Sequence, residues 1–216
     1  MPMMQAIKKT IESKRIEKPP YRYSNNCRHH NKETINMDIS AITGIILAGE
    51  RNEGQDRGLQ NFRGAPLTLH VMMRLAPQVV DIMINANRNI GPYEGFGVPV
   101  WPDDMQGLHS ALSGFHTGLQ HCDTPYLACV PCDRHDLPPD MVQRLADQLL
   151  AQGADIAVAV TGCAALRQVH ADVCLMDATL LENLTRFLRG GGRDVAAWHA
   201  TLKVAEVTFD AFDDAA

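Results

Sequence analysis

The chain has 216 residues, 45% apolar and 21% charged, with 20 basic and 25 acidic side chains and a formal charge of −5. That is material for one hydrophobic core of ordinary size, and the acidic balance argues against nucleic acid as the main partner. No apolar run approaches the roughly 20 residues a bilayer span needs, so a membrane partner is not expected.

Residues 1–38 carry eight Lys/Arg against four Asp/Glu, a balance of +4, while the remainder stands at −9. Their polar composition and the Pro19-Pro20 break predict a flexible extension, with a short helix over 4–18 as its one candidate element. Such a basic tail suits folding back onto an acidic body, or a polyanion. It lacks the apolar block of a secretory signal, so the six cysteines are expected as free thiols in a reducing cytosol. Cys27 with His29-His30 would catch metal loosely or stay solvated.

From residue 39 a single domain is expected, running to 216. Residues 42–48 form a short apolar run closed by Gly49, the mark of a buried strand. A helix is predicted over 66–76, opened by Pro66, and strands over 79–86 and 98–101. The pattern continues as a helix over 107–121, a strand over 125–131, and a helix over 138–152 stopped by Gly153. Strands at 154–160, 170–176 and 203–209 follow, with helices over 178–188 and 194–202 between them. Gly190-Gly191-Gly192 reads as a helix stop. Strands alternating with helices predict a three-layer α/β fold with a mostly parallel central sheet. Ligands in such folds bind beyond the strand C-termini, which selects the loops after Ala48, Ala86, Trp101 and Pro131.

The loop after the first strand holds Gly49, Gly54 and Gly58 with Arg51 and Arg57, a composition that serves either an ordinary turn or an anion cradle. Glu50 and Glu53 oppose a triphosphate there. Asn85, Asn87 and Asn89 follow the second strand, where amides cap loops or read a base or ribose edge. Asp103 with Asp104, and Asp133, stand at two further strand ends. Carboxylates in such places are turn residues or, together, the donors a Mg²⁺-nucleotide needs. Cys129 and Cys132 have C-x-x-C spacing, but on a strand residues three apart face opposite sides, which disfavours a redox or zinc pair.

In order along the chain, TGIILAGE, DRGLQNFRGAPL, MINANRN, PVWPDD, PYLACVPCD, CLM and GGGRD resemble the molybdenum cofactor guanylyltransferases over residues 42–210. In that family the landmarks run LAGG-x-S-x-RMGG-x-DKGL, NANR, V-x-x-D leading to GPLAG, PCDTP and HPVFCL. The resemblance implies a Rossmann-like nucleotidyltransferase, cytoplasmic, that moves GMP from Mg²⁺-GTP onto molybdopterin and releases pyrophosphate. It implies backbone contacts to GTP from Leu47, Ala48 and Gly49, nucleotide contacts from Asn85 and Asp103, and Mg²⁺ coordination by Asp133. Arg57 stands where the family has its lysine and takes the catalytic place with Asp133. Molybdoenzymes or cofactor-biosynthesis proteins are the implied protein partners, for a monomer or weak oligomer.

The chain departs from the family at defined places. Glu50 replaces the second glycine of LAGG, the RMGG stretch is missing, and no lysine occurs between Lys32 and Lys203. Ser110-Ala111-Leu112-Ser113-Gly114 replaces GPLAG, and the F-x-N-x-NTP segment that closes the family does not follow Phe209. These departures motivate an alternative, a relative that binds nucleotide, molybdopterin or a protein partner without transfer. A cytidylyl transferase shares the opening loop, but INANRN and LQNFRG favour the guanylyl branch.

Overall fold

The computed structural model describes residues 37–48, 56–105, 110–162 and 166–210. The helix considered over 4–18 and the Cys27, His29-His30 group lie outside the described residues. The described chain opens with Met37 buried in the core and with the Asp38 carboxylate accepting from Ser40 N at 2.9 Å.

Seven strands form one sheet: β1 (Ile42–Leu47), β4 (Asp81–Asn85), β5 (Val100–Trp101), β6 (Tyr126–Pro131), β7 (Ile156–Thr161), β8 (Gln168–Asp177) and β9 (Val204–Phe209). Their order is β5-β4-β1-β6-β8-β7-β9. β1 runs parallel to both β4 and β6, and all six of its residues are buried, as a continuous apolar run requires when helices cover both faces. Two very short strands, β2 (Asn61–Phe62) and β3 (Ala65–Pro66), make a separate hairpin whose turn residues Arg63 and Gly64 have φ of 51° and 87°. Positive φ at both central positions is what a tight two-residue hairpin demands. The sequence reading placed no element there.

The helices divide between the faces. On one side α1 (Leu67–Leu75), α2 (Ile90–Glu94) and α4 (Met141–Gln152) pack with Ile42, Ile46, Ile84 and Val130. On the other, α3 (Ala111–Gln120), α5 (Leu180–Arg189) and α6 (Val195–His199) pack with Ile45, Leu47, Leu127 and Cys129. Adjacent residues of β1 thus serve different cores, as strand alternation dictates. Cys129 and Cys132 fall in the two different cores, so their C-x-x-C spacing does not make a pair. Sheet and helix meet closely: a Cβ on Gly44 of β1 would come within 2.8 Å of Leu75 on α1.

Helix patterning follows burial. Met141, Val142, Leu145, Ala146 and Leu149 form the inward stripe of α4, and Gly153 ends it with φ 54° while Ala154 N donates to Leu149 O. Leu180, Leu184 and Leu188 are the buried residues of α5, and the three glycines beyond it donate to Arg186 O, Leu188 O and Phe187 O. The predicted helix over 194–202 is shorter. α6 is capped by Asp194, which accepts from Ala197 N, and the chain then turns through Leu202 into β9.

β8 runs antiparallel between β6 and β7. It is longer than the strand expected over 170–176 because its first residues continue along β7, beyond its ladder with β6, after an irregularity between Val158 and Ala159. Hydrophobic pattern marks a buried strand but carries no direction, so this reversal was not readable from it.

Candidate functional site

Polar side chains gather beyond the carboxyl ends of β1, β4, β5 and β6. At the end of β1 the backbone is fastened on both sides: Ala48 N donates to Asn85 O at 2.8 Å, and Cys132 N donates to Leu47 O at 3.0 Å. Leu47 and Ala48 are themselves buried. Gly49 lies outside the described residues, as do Arg51, Glu50 and Glu53.

Asn85, the last residue of β4, is 2% exposed and uses both amide hydrogens, one to Trp101 O at 3.1 Å and one to Asp103 Oδ1 at 2.9 Å. Asn87 grips the same aspartate at two points, donating to Asp103 Oδ2 at 2.9 Å and accepting from Asp103 N at 2.8 Å. The Ser113 hydroxyl lies 2.9 Å from Asp103 Oδ2 and 2.7 Å from Ser110 O, its single proton shared between them. Gly114 follows, and a Cβ there would fall 2.7 Å from Leu47 Cδ2 and 2.9 Å from Asn85 Oδ1. The result is a carboxylate held in one orientation by neutral donors, suited to accepting further hydrogen bonds from the N–H or O–H groups of a nucleoside.

The loop after β5 is stitched along one face of α3, at Ser113, Thr117 and His121, successive turns apart. Asp104 N donates to Thr117 Oγ1 at 3.2 Å, His121 Nε2 lies 3.7 Å from Asp104 Oδ2, and the His121 ring stacks on Trp101 at 3.8 Å. The sequence reading took Asp103 and Asp104 together. The structure separates them: Asp103 joins the Asn85 group and Asp104 fastens the loop to the helix.

Asp133, just past β6, meets the guanidinium of Arg57, whose Nε lies 3.3 Å from Asp133 Oδ2. Arg57 opens a 3₁₀ turn, Arg57–Leu59, behind which Asp56 accepts from Tyr93 Oη at 2.5 Å and from Asn89 Nδ2 at 3.0 Å. The Tyr93 phenol is held protonated by burial and by that carboxylate. Burial, with Asp133 second, pushes the Cys132 thiol up to about 12, and burial also raises Cys129, so neither is a ready nucleophile.

Residues beyond Asp133 tie this loop to the hairpin and to β7 and β8. The Phe62 ring of the β2–β3 hairpin packs on His135 at 4.4 Å. Arg134 Nη2 donates to His170 Nδ1 at 3.2 Å, since a guanidinium has only donors, which leaves the proton on His170 Nε2, 2.7 Å from Thr161 Oγ1.

The structure therefore brings Asn85 with Asp103 and Arg57 with Asp133, giving the two carboxylates different partners. Among the described residues no group of three or more His, Cys, Asp or Glu forms a metal cage. A Mg²⁺ ion that keeps phosphate oxygens and waters needs only one or two carboxylates, and Asp133, 28% exposed at a strand end, fits that need. The sequence reading missed Asn87 as a clamp on Asp103 and gave no role to Asp56, Tyr93, Ser113 or Gly114. The tight SALSG stretch was a signal for the last two, whereas the tyrosine carried none.

An open α/β sheet with polar groups collected beyond the carboxyl ends of its parallel strands β4, β5 and β6 is the doubly wound architecture, the class in which nucleotides bind at the strand ends. A family model described as the MobA-like NTP transferase domain matches residues 44–204. A molybdenum cofactor guanylyltransferase from Acidovorax sp. (strain JS42) is 51% identical over 183 residues, covering 81% of this chain and 87% of the relative. One from Bordetella petrii is 48% identical over 177 residues, covering 81% and 90%. The chain belongs to the molybdenum cofactor guanylyltransferases, within the MobA-like NTP transferase family.

Solved structures share the fold at low identity. The crystal structure of molybdopterin-guanine dinucleotide biosynthesis protein A from Archaeoglobus fulgidus matches with a TM-score of 0.61 at 14% identity, covering 77% of this chain and 83% of that one. The 4-diphosphocytidyl-2C-methyl-D-erythritol synthase of Anaerococcus prevotii matches at 0.63 and 10%, covering 79% and 87%. No helix among the described residues is long and apolar enough to cross a membrane.

Proposed function

We propose that this chain transfers GMP from Mg²⁺-GTP to the terminal phosphate of molybdopterin, forming the guanine dinucleotide cofactor and releasing pyrophosphate. The guanylyltransferase relatives at about half identity supply the reaction class. The observation that carries the reading to residues is the Arg57–Asp133 pair at the end of β6, beside the strand whose loop would cradle the triphosphate.

An oxygen of the acceptor phosphate forms a bond to the α-phosphorus of GTP, while the bond from that phosphorus to its β-bridging oxygen breaks and pyrophosphate departs with the oxygen and its charge. The exchange needs no protein nucleophile. It needs the groups held in line and the charge neutralised. Arg57 supplies a fixed positive charge for the phosphates, its forked guanidinium serving where the family lysine would act as a point charge. Asp133 would hold Mg²⁺, which when bound neutralises the triphosphate. Asn85 and Asp103 orient the nucleoside. Ala48 N and Leu47 O each make one bond to a neighbouring strand end, so backbone contact to GTP here would use the second lone pair of Leu47 O or the Ala48 carbonyl, with Gly49 next along the chain.

The four described cysteines are free, which suits a reducing cytosol as the compartment. Calorimetric titration with GTP, with and without Mg²⁺ and against CTP and ATP, tests the substrate: the reading expects Mg²⁺-dependent binding selective for GTP. Asp133→Ala should abolish GMP transfer with little change in thermal midpoint, and unchanged turnover would remove Asp133 from the mechanism. Glu50 and Glu53 favour a second reading, binding without transfer, through like-charge repulsion of the triphosphate. Product formation that tracks the protein through purification excludes it.

A further inference from the structure

We infer that Tyr93 and Asn89 are positioning residues for Arg57: by holding both oxygens of Asp56 they lock the turn that aims the Arg57 guanidinium at Asp133. The inference rests on the reading of Arg57 and Asp133 as the phosphate and metal groups, and it names what makes an arginine workable there.

Arg57 itself is an exposed, flexible side chain, and an unanchored arginine would lose most of its directing power to rotamer freedom. Its backbone is not free to wander. Leu59 N donates to Asp56 O and Gln60 N to Arg57 O, each at 3.2 Å, closing one 3₁₀ turn. The turn is pinned from behind, where Tyr93, fully buried, donates to Asp56 Oδ1 at 2.5 Å. Asn89 donates to Asp56 Oδ2 at 3.0 Å from a left-handed backbone with φ 50°, a conformation that costs an asparagine less than most residues. Gly58 then lies so close over Tyr93 Oη and Thr68 Oγ1 that a Cβ would stand 2.6 Å from the threonine oxygen and nearer still to the phenol. Buried anchor, carboxylate, turn and guanidinium form one continuous chain of contacts ending at Asp133.

The phenol serves as a donor here, not as an acid or base. Desolvation and the neighbouring carboxylate both oppose its ionisation. An effect of Tyr93 on the phosphates must therefore pass through Asp56 and Arg57.

A double-mutant cycle between Tyr93→Phe and Arg57→Ala tests this, read as Mg²⁺-GTP affinity by calorimetry and as kcat and KM for GMP transfer, with thermal midpoints measured alongside. The inference expects Tyr93→Phe alone to weaken Mg²⁺-GTP binding about tenfold, the loss of one hydrogen bond to a charged group. In the Arg57→Ala background the same change should do nothing further. Equal losses in both backgrounds, or none in the native one while Arg57→Ala is impaired, would overturn it. Should Tyr93→Phe fail to fold, Asn89→Gly removes the second contact while tolerating the positive φ, and it must show the same dependence on Arg57. If Arg57→Ala leaves binding and transfer unchanged, the fault lies in the reading of the site itself.

Discussion

Gly114 shows how one missing side chain leaves room for the Asn85–Asp103 group, the group proposed to orient the nucleoside. Replacing a helical glycine by alanine ordinarily stabilises by about 0.5–1 kcal/mol. Here the new methyl would stand 2.9 Å from Asn85 Oδ1, against an amide already committed to Trp101 and Asp103. Gly114→Ala should therefore weaken GTP binding out of proportion to any stability change. Gly118→Ala is the control on the same helix: its methyl would press on the buried Leu127 and Ile45 side chains of the sheet rather than on Asn85, so it should lower the thermal midpoint and spare affinity. Calorimetric titration and thermal unfolding of both variants make the comparison, and equal affinity loss in the two would separate Gly114 from the site. Asn85 and Asp103 were legible in the sequence because each stands at a strand end within a recognisable segment. The clamp from Asn87 and Ser113 was not, since hydrogen-bond partners across three elements are set only when those elements pack.

Elements were the most readable level. Apolar runs marked the buried strands, and Gly153 marked the end of α4, whose buried stripe includes Met141, Val142, Leu145 and Leu149. That stop rests on backbone conformation, because the nearest atom to an added Cβ is Lys203 Nζ at 3.8 Å, ordinary contact. Gly153→Ala is expected to cost about 1 kcal/mol through its φ of 54° alone, a fall of about 2–4 °C in thermal midpoint for a domain this size, with GTP affinity unchanged. A drop in affinity would mean that α4 is coupled to the site. The β2–β3 hairpin escaped the reading because two-residue strands have no period to detect, and its Arg63 occupies a positive-φ place that glycine or asparagine would advertise.

Across the whole molecule, the three layers bury His116 between α3 and α5 and His199 at the end of α6. Burial lowers the pKa of both below the ordinary value of 6.5; Asp104 and Asp194 oppose the shift, and Arg189 adds to it at His116. Below pH 6.5 the unfolded chain takes up these protons and the folded one resists, so stability should fall as pH drops from 6.5 toward the lowered folded values. Thermal midpoints measured from pH 8 to pH 5 should decline on the acidic side, and His116→Gln should flatten part of that slope. An unchanged slope in the variant would show that His116 is free to protonate in the folded state.

The amino-acid sequence determined by itself the seven strands of the main sheet, the longer helices between them, and which family motifs stand at the strand ends, because periodicity and local turn chemistry are properties of neighbours along the chain. Tertiary structure alone decided the reversed direction of β8, the separation of Asp103 from Asp104, and the meeting of Arg57 with Asp133 behind an anchor at Tyr93. Those outcomes depend on which distant residues are brought together when the elements pack, and no preference between neighbours along the chain specifies that.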